Sequence, residues 1–368
     1  MRVAGNPTKQ QLREECIVND RWEAPLIKVQ SLAYIVLQRP DVEQAARFFS
    51  DFGLLIDERT DSAVYLRGVS TAHQMMVIEK GAADIPRIGM LAEEADLETL
   101  AARFALPICQ HSEALGGRYV RLEDPDGLVI EVCSGLKSLS PLPAQPPLPQ
   151  WNGAGDNKVR VNQMARNPLR PAWVYKLGHT VRSVASMQAS LNWYQQTLGM
   201  IVSDFQFLPG DPLPVVAFMR CDCGDKPVDH HTIAIGTAPL LGHMHSAFEL
   251  DNLEELLIGN RWLADQGYSH SWGIGRHVQG SQIFDYWREP KGEVFEHYVD
   301  GDVFSAAEAT GYHLFNSEAQ HQWGPEITAD VTGQNRPLQT LRSIARRLFT
   351  QDDITVGRLK RLLKAVNS

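Results

Sequence analysis

The chain has 368 residues, 43% hydrophobic and 21% charged, with a net charge of −9. This length allows two domains, or one domain built from two similar halves. The acidic balance argues against nucleic acid as the partner, since phosphate binding needs a basic face, and no apolar run approaches the roughly 20 residues that cross a bilayer.

The first residues, MRVAGNPTKQQLREEC, contain no apolar segment of the signal-peptide kind. Residues 1–28 read as an extension, a short helix in TKQQLREEC and a coil suited to packing on a neighbouring subunit. From Ser31 to Glu58, SLAYIVLQRPDVEQAARFFSDFGLLIDE reads as a strand, an amphipathic helix stopped by Phe-Gly, and a second strand. Then IGMLAEEADLETLAARF repeats the strand-helix pattern, and YVRLEDPDGLVIEVCSG closes it with two strands about a Pro-Asp-Gly turn. The five prolines of SPLPAQPPLPQWNGAG form an extended connector, because proline is excluded from helix interiors and central strands.

Beyond the connector the pattern returns. KLGHTVRSVASMQASLNWYQQTLGMIVSD parallels the first segment, HSAFELDNLEELLIGNRWL the second, and FDYWREPKGEVFEHYVDG the third. Each half therefore reads as two β-α-β-β-β units, an α+β architecture of two tandem domains, each curved into an open cup. The expected boundaries are 29–139 for the first domain, 140–170 for the linker, 171–303 for the second domain and 304–368 for a C-terminal segment. In that segment Leu338, Leu341, Ile344 and Leu348 mark one basic amphipathic helix, and Leu359, Leu362, Leu363 and Val366 another. Both are expected to dock on the protein's body or on another subunit.

The halves differ in their histidines. His179 in LGHTV faces Tyr34 in LAYIV, and His245 in GHMHSAFEL aligns with Gly89, while Glu296 is matched by Glu131. Strand alternation puts His243 on the face of His245, turns His230 and His231 opposite ways, and turns His297 away from Glu296. Converging inward in one cup, His179, His245 and Glu296 make two imidazoles and a carboxylate on one face of a metal, the arrangement of non-haem Fe(II) oxygenases. Glu131, without histidines, reads as a turn cap or a surface ion pair. Five scattered cysteines do not suggest a disulfide framework, so a reducing cytoplasm is expected, and CDC at 221–223 lacks the second pair a metal site would want.

These motifs resemble the type I extradiol ring-cleavage dioxygenases of the vicinal oxygen chelate superfamily, over most of residues 29–303. His179 opens the second half as that family's first ligand does; His245 begins an H-x-A-F-E strand; Glu296 ends P-x-G-x-x-x-E. The resemblance implies Fe(II), with Mn(II) as the alternative, held by His179, His245 and Glu296. It also implies that His231 of DHHTIAIG acts as the acid-base group, with a pKa near neutrality, and that His277 of GRH and Tyr286 of FDYW bind the substrate oxygens. The implied partners are a catechol and dioxygen, in a protein expected to form homo-oligomers. Trp323-Gly324-Pro325 resembles a segment covering the active-site mouth in some members, and His321 and Gln322 stand where relatives acting on carboxylated catechols carry arginines. An apolar or bulky substituent is therefore expected. Two other functions share the fold, a glyoxalase-like isomerase or lyase and a non-catalytic small-molecule binder. The single complete triad disfavours both.

Overall fold

The structure, a computed structural model, describes residues 7–83, 85–143, 148–238, 240–316, 320–328, 344–345, 347 and 353–366. In the first half the chain runs β1 (Ser31–Arg39), α2 (Val42–Phe52), β2 (Leu55–Arg59), β3 (Ala63–Arg67), β4 (Met76–Lys80), then β5 (Arg87–Leu91), α3 (Glu94–Phe104), β6 (Ile108–Gln110), β7 (Arg118–Glu123) and β8 (Val129–Ser134). These are the two expected β-α-β-β-β units. The strand order β2-β3-β4-β1-β5-β8-β7-β6 places the units side by side, joined by the antiparallel pair β1–β5.

The second half repeats this. Its first unit is β9 (Val174–Ser183), α4 (Met187–Leu198), β10 (Ile201–Phe207), β11 (Val216–Arg220), β12 (Val228–Asp229) and β13 (Ile233–Gly236). Its second is β14 (Gly242–Leu250), α5 (Leu253–Asp265), β15 (Ser269–Arg276), β16 (Ile283–Arg288) and β17 (Val294–Val299). β9 and β14 pair antiparallel at the centre, and the short β18 (Val303–Phe304) pairs with β12. β19 (Gly311–Leu314) extends the sheet by pairing with β10.

Local chemistry sets the helix ends. Asp41 accepts a hydrogen bond from the Gln44 amide to start α2, and Gly53 ends it at φ +116°. A side chain at Gly53 would collide with the Ala172 carbonyl, so glycine there also lets the second half approach.

The two halves interlock by reciprocal contacts. Buried Arg39, at the end of β1, pairs with Glu293 at 2.8 Å and with Glu289 at the hairpin turn of the second half. Buried Arg182, at the end of β9, pairs with Asp124 at the matching turn of the first. Phe52 and Phe49 pack edge-on against Phe248 and Phe295, so one apolar core runs through both halves. An unpaired buried charge costs several kcal/mol, so each hairpin tip is fixed against the other half.

The extension also packs on its own chain. α1 (Lys9–Glu15) lies against β19, and the coil after it bonds along α4, Leu26 N to Gln196 O at 2.7 Å. The connector forms no strand or helix among the described residues. Of the first C-terminal helix only fragments are described, and Leu338, Leu341 and Leu348 lie outside the described residues. The second, α6 (Val356–Val366), docks on the second half: Leu362 and Ala365 pack with Leu208 and Val215. Arg358 anchors it through Asp211 at 3.1 Å and the Pro214 carbonyl at 2.8 Å. No described helix is long and apolar enough to cross a membrane.

Candidate metal centre and its cavity

His179 on β9, His245 on β14 and Glu296 on β17 meet at the centre of the second sheet. The register makes this inevitable: Ala247 of β14 pairs with His179 on one side and Glu296 on the other, and His245 stands two residues earlier on the same face. One ligand atom from each residue lies within 4.8 Å of the others. Glu296 Oε2 is 3.2 Å from both His179 Nε2 and His245 Nε2. His179 and Glu296 are buried, and His245 Nε2 and Glu296 Oε1 have no hydrogen-bond partner. Leaving such groups unsatisfied costs about 1–3 kcal/mol each, a cost that a cation shared by the three would remove. Burial works to raise the Glu296 pKa, but the imidazoles of His179 and His245 outweigh it and hold the carboxyl below the usual range. A permanent carboxylate beside two imidazoles is the donor set of a divalent transition metal, so the residues fit one.

The other expected residues gather round the triad. The His231 ring lies 4.1 Å from that of His179. Tyr286 pairs with Glu296 across β16 and β17, and its hydroxyl is 3.0 Å from His277 Nε2. His277 Nδ1 is 2.9 Å from the Gln320 carbonyl, which fixes the ring. Burial drives His277 down to about 4, and Tyr286 well above its ordinary value. His231 departs from expectation. Burial, then the nearby imidazoles of His179, His230, His277 and His245, push it well below neutrality rather than near it.

The competing histidines separate. A β-bulge between His243 and His245 breaks the alternation that would align them. His243 Nε2 instead bonds Ser246 Oγ at 2.9 Å, outside the triad. His297 faces away, its Nε2 2.6 Å from the Phe52 carbonyl. Cys221 and Cys223 are free thiols.

A cavity of about 290 Å³ opens over His179, His231, His245, His277 and Tyr286. Its other walls are chiefly apolar: Phe218, Met244 and Trp272 from the sheet, and Ile344, Leu359 and Leu362 from the C-terminal segment. No Lys, Arg, Asp or Glu lines it among the described residues. The segment Trp323-Gly324-Pro325 lies alongside, where the Trp272 indole donates to the Pro325 carbonyl at 2.9 Å and Trp323 bridges to Arg276.

Three features escape sequence reasoning. The first is the chain of polar groups behind His231. Residues 230 and 231 lie beyond β12, so strand alternation does not govern them, and their Nδ1 atoms meet at 3.0 Å. His230 Nε2 is 2.6 Å from Asp204 Oδ2, and His313 Nε2 is 2.7 Å from Asp204 Oδ1. The second is the C-terminal wall, whose amphipathic pattern shows only that it docks. The third concerns the first half. Gly89 pairs with Tyr34 and Glu131 as Ala247 pairs with His179 and Glu296, so Arg87, not Gly89, occupies the position of His245. Glu131 is buried and bonded to Tyr34 at 2.8 Å, which replaces the surface role expected of it.

Residues 176–297 match the Glyoxalase/Bleomycin resistance protein/Dioxygenase superfamily. The match runs from β9 to β17, the stretch that carries the triad, and so likens the second half to a module of that superfamily, the vicinal oxygen chelate proteins. Within it, the chain is 27% identical over 320 residues to metapyrocatechase 2 of Cupriavidus necator, covering 84% of this chain and 94% of that one. It is 23% identical over 282 residues to biphenyl-2,3-diol 1,2-dioxygenase of Metapseudomonas furukawaii, covering 74% and 86%. Among solved structures, the Mn(II)-bound glyoxalase from Novosphingobium aromaticivorans superposes with a TM-score of 0.65 at 22% identity, covering 82% of this chain and 92% of that one.

Proposed function

We propose that the protein is an extradiol ring-cleavage dioxygenase for catechols carrying an apolar substituent, with Fe(II) held by His179, His245 and Glu296. The observation that carries this reading is the His-His-Glu cluster facing a cavity also reached by His231, His277 and Tyr286. Relatives named for pyrocatechol and biphenyl-2,3-diol chemistry support it. Mn(II) is the alternative metal, because the same donors accept it and a structural neighbour holds it. Five free cysteines support a cytoplasmic setting.

When bound, the metal supplies Lewis acidity toward the diol oxygens and a redox centre for dioxygen. The chain's own residues do the rest. Tyr286, with its phenol pKa raised, stays a proton donor, and His277 holds its hydroxyl. Together they can orient one substrate oxygen. His231, kept neutral by burial, accepts a proton from the diol and returns one during cleavage. Phe218 and Trp272 exclude water from the ring, and the uncharged outer cavity favours an alkyl or aryl group over a carboxylate.

The test is anaerobic loading with Fe(II) or Mn(II), then air-saturated buffer with catechol, 3-methylcatechol, 2,3-dihydroxybiphenyl and a carboxylated catechol. Metal-dependent oxygen uptake with a yellow product, fastest for apolar substituents, is the expected result. Tight metal binding with no uptake for any diol would overturn ring cleavage while leaving the metal site standing.

A further inference from the structure

Behind His231 runs an unbroken line of hydrogen-bonding groups that leads away from the cavity: His231, His230, Asp204 and His313. His230 and His231 are buried, whereas the His313 side chain is 23% exposed. The spacings are 3.0 Å between the two Nδ1 atoms, 2.6 Å from His230 to Asp204 and 2.7 Å from Asp204 to His313. Room for this line is built into the backbone. A side chain at Gly311 would strike the Asp204 carboxylate and the His313 ring, and one at Gly280 would press on His230 Nδ1 at 3.0 Å.

A nitrogen–nitrogen hydrogen bond needs one N–H and one lone pair, so the two rings cannot choose their protonation independently. Asp204 is an acceptor only: burial works to raise its pKa, but the bonds from His230 and His313 outweigh it and hold the carboxyl at about 2. His230 must therefore donate from Nε2. If His230 is neutral, its Nδ1 carries a lone pair, His231 must donate from Nδ1, and His231 Nε2 is left as an acceptor. If His230 is protonated, it donates from both nitrogens, His231 Nδ1 becomes the acceptor, and His231 Nε2 carries the proton.

We propose that His230, held by Asp204, is a positioning residue that sets the tautomer of His231 and so decides whether that ring accepts or donates a proton in the cavity. The proposal rests on the ring-cleavage reading for its catalytic use. The proton balance is simple. A hydroxyl proton of the substrate passes to His231 Nε2, the Nδ1 proton of His231 passes to His230 Nδ1, and the resulting imidazolium is stabilised by Asp204. The reverse transfer returns one proton to a product oxygen. His231 is neutral before and after, so the group that stores the charge is His230. Asp204 faces it from β10, His231 lies next to it in the chain, and His313 is reached through the carboxylate. Arg220 faces its backbone through Ser203, and Asp302 bonds its amide through the main chain.

The direct test is ring-nitrogen NMR on the full chain loaded with diamagnetic Zn(II) at one neutral pH. His231 should be held in the Nδ1–H tautomer, and Asp204→Asn, whose amide can donate to His230 Nε2 and so reverse the line, should admit the Nε2–H tautomer. The kinetic test compares His230→Gln, which keeps a hydrogen bond to His231 but cannot store a proton, with His313→Gln, which leaves His230 intact. The first should lower kcat by about 10²-fold, with KM and metal content unchanged. The second should lower kcat much less. A His231 tautomer that is the same in Asp204→Asn as in the parent protein would overturn the proposal even if the enzyme cleaves rings. Loss of ring cleavage in every protein, with the tautomer change intact, would instead sink the reaction assignment and leave the switch.

Discussion

The two halves of this chain share a fold and one glutamate, and they use that glutamate in opposite ways. In the second half Glu296 lies beside two imidazoles under an open cavity. In the first, Glu131 accepts from Tyr34 at 2.8 Å and pairs with Arg121 at 2.7 Å, while Arg87, which occupies the strand position corresponding to His245, brings its guanidinium to 3.4 Å from the same carboxylate. The Tyr34 ring fills the space over Gly89, where any side chain would collide with it, and His111 closes on its hydroxyl at 3.2 Å. The first half thus answers its buried carboxylate with two fixed cations and a hydroxyl; the second leaves the same charge to a group the chain does not itself provide. A buried carboxylate is tolerated in either case only because it is compensated.

The largest effect should come from exchanging the two glutamates for glutamine in turn. Glu296→Gln should lose most of its metal and at least about 10³-fold in kcat/KM, in line with the loss of an essential ligand. Glu131→Gln should leave metal content and kcat within about twofold and show itself only in unfolding, and metal analysis with steady-state kinetics separates the two. Arg87→Met should then cost about 3 kcal/mol of stability, because it strips a cation from a buried acid without opening a site. Urea unfolding measures this, and an unchanged midpoint would show that Arg121 alone suffices.

Acid provides a smaller test. The Asp204 pKa is depressed to about 2, so its contribution is fully present above the unfolded value of about 3.9 and is lost as pH falls toward 2. The loss should amount to about 2 kcal/mol over that range, and Asp204→Asn should remove that part of the slope in denaturation at stepped pH. The first half has no such carboxylate held by two histidines among its described residues, so variants there should leave the slope unchanged.

Much of this was legible in the sequence because it follows from period and repetition. Alternation along each strand separates Glu296 from His297, and the duplicated Pro-x-Gly turn fixes which glutamate corresponds to which. Legibility fails where the strand does. The bulge at His243 and the irregular backbone at His230 and His231 are local departures that composition does not announce, and they decide which histidines meet. The same two-residue precision misplaces Gly89 against His245, since only the sheet register shows that Arg87 holds that position. Long-range packing is the other blind spot: nothing in GRLKRLLKAV says that Leu359 and Leu362 wall a cavity built on the sheet of the second half.

That wall yields the smallest and most specific expected effect. The first half is sealed by its own Tyr34 and His111, whereas the second is closed partly by α6, through Leu359 and Leu362. If α6 only lent stability, changing Leu359 would affect all substrates alike. Leu359 is half-buried, so Leu359→Gln preserves size at little cost to folding while placing an amide against the apolar wall. Burying an alkyl or aryl group against it should become less favourable by about 1.4 kcal/mol, the transfer energy of roughly two methylenes. KM for 3-substituted apolar catechols should then rise about tenfold, while unsubstituted catechol, too small to reach α6, keeps its KM within about twofold. An equal rise for both would make the helix a brace for the metal centre rather than a wall of the substrate cavity, and the contrast between a sealed half and a tail-closed half would have to be redrawn.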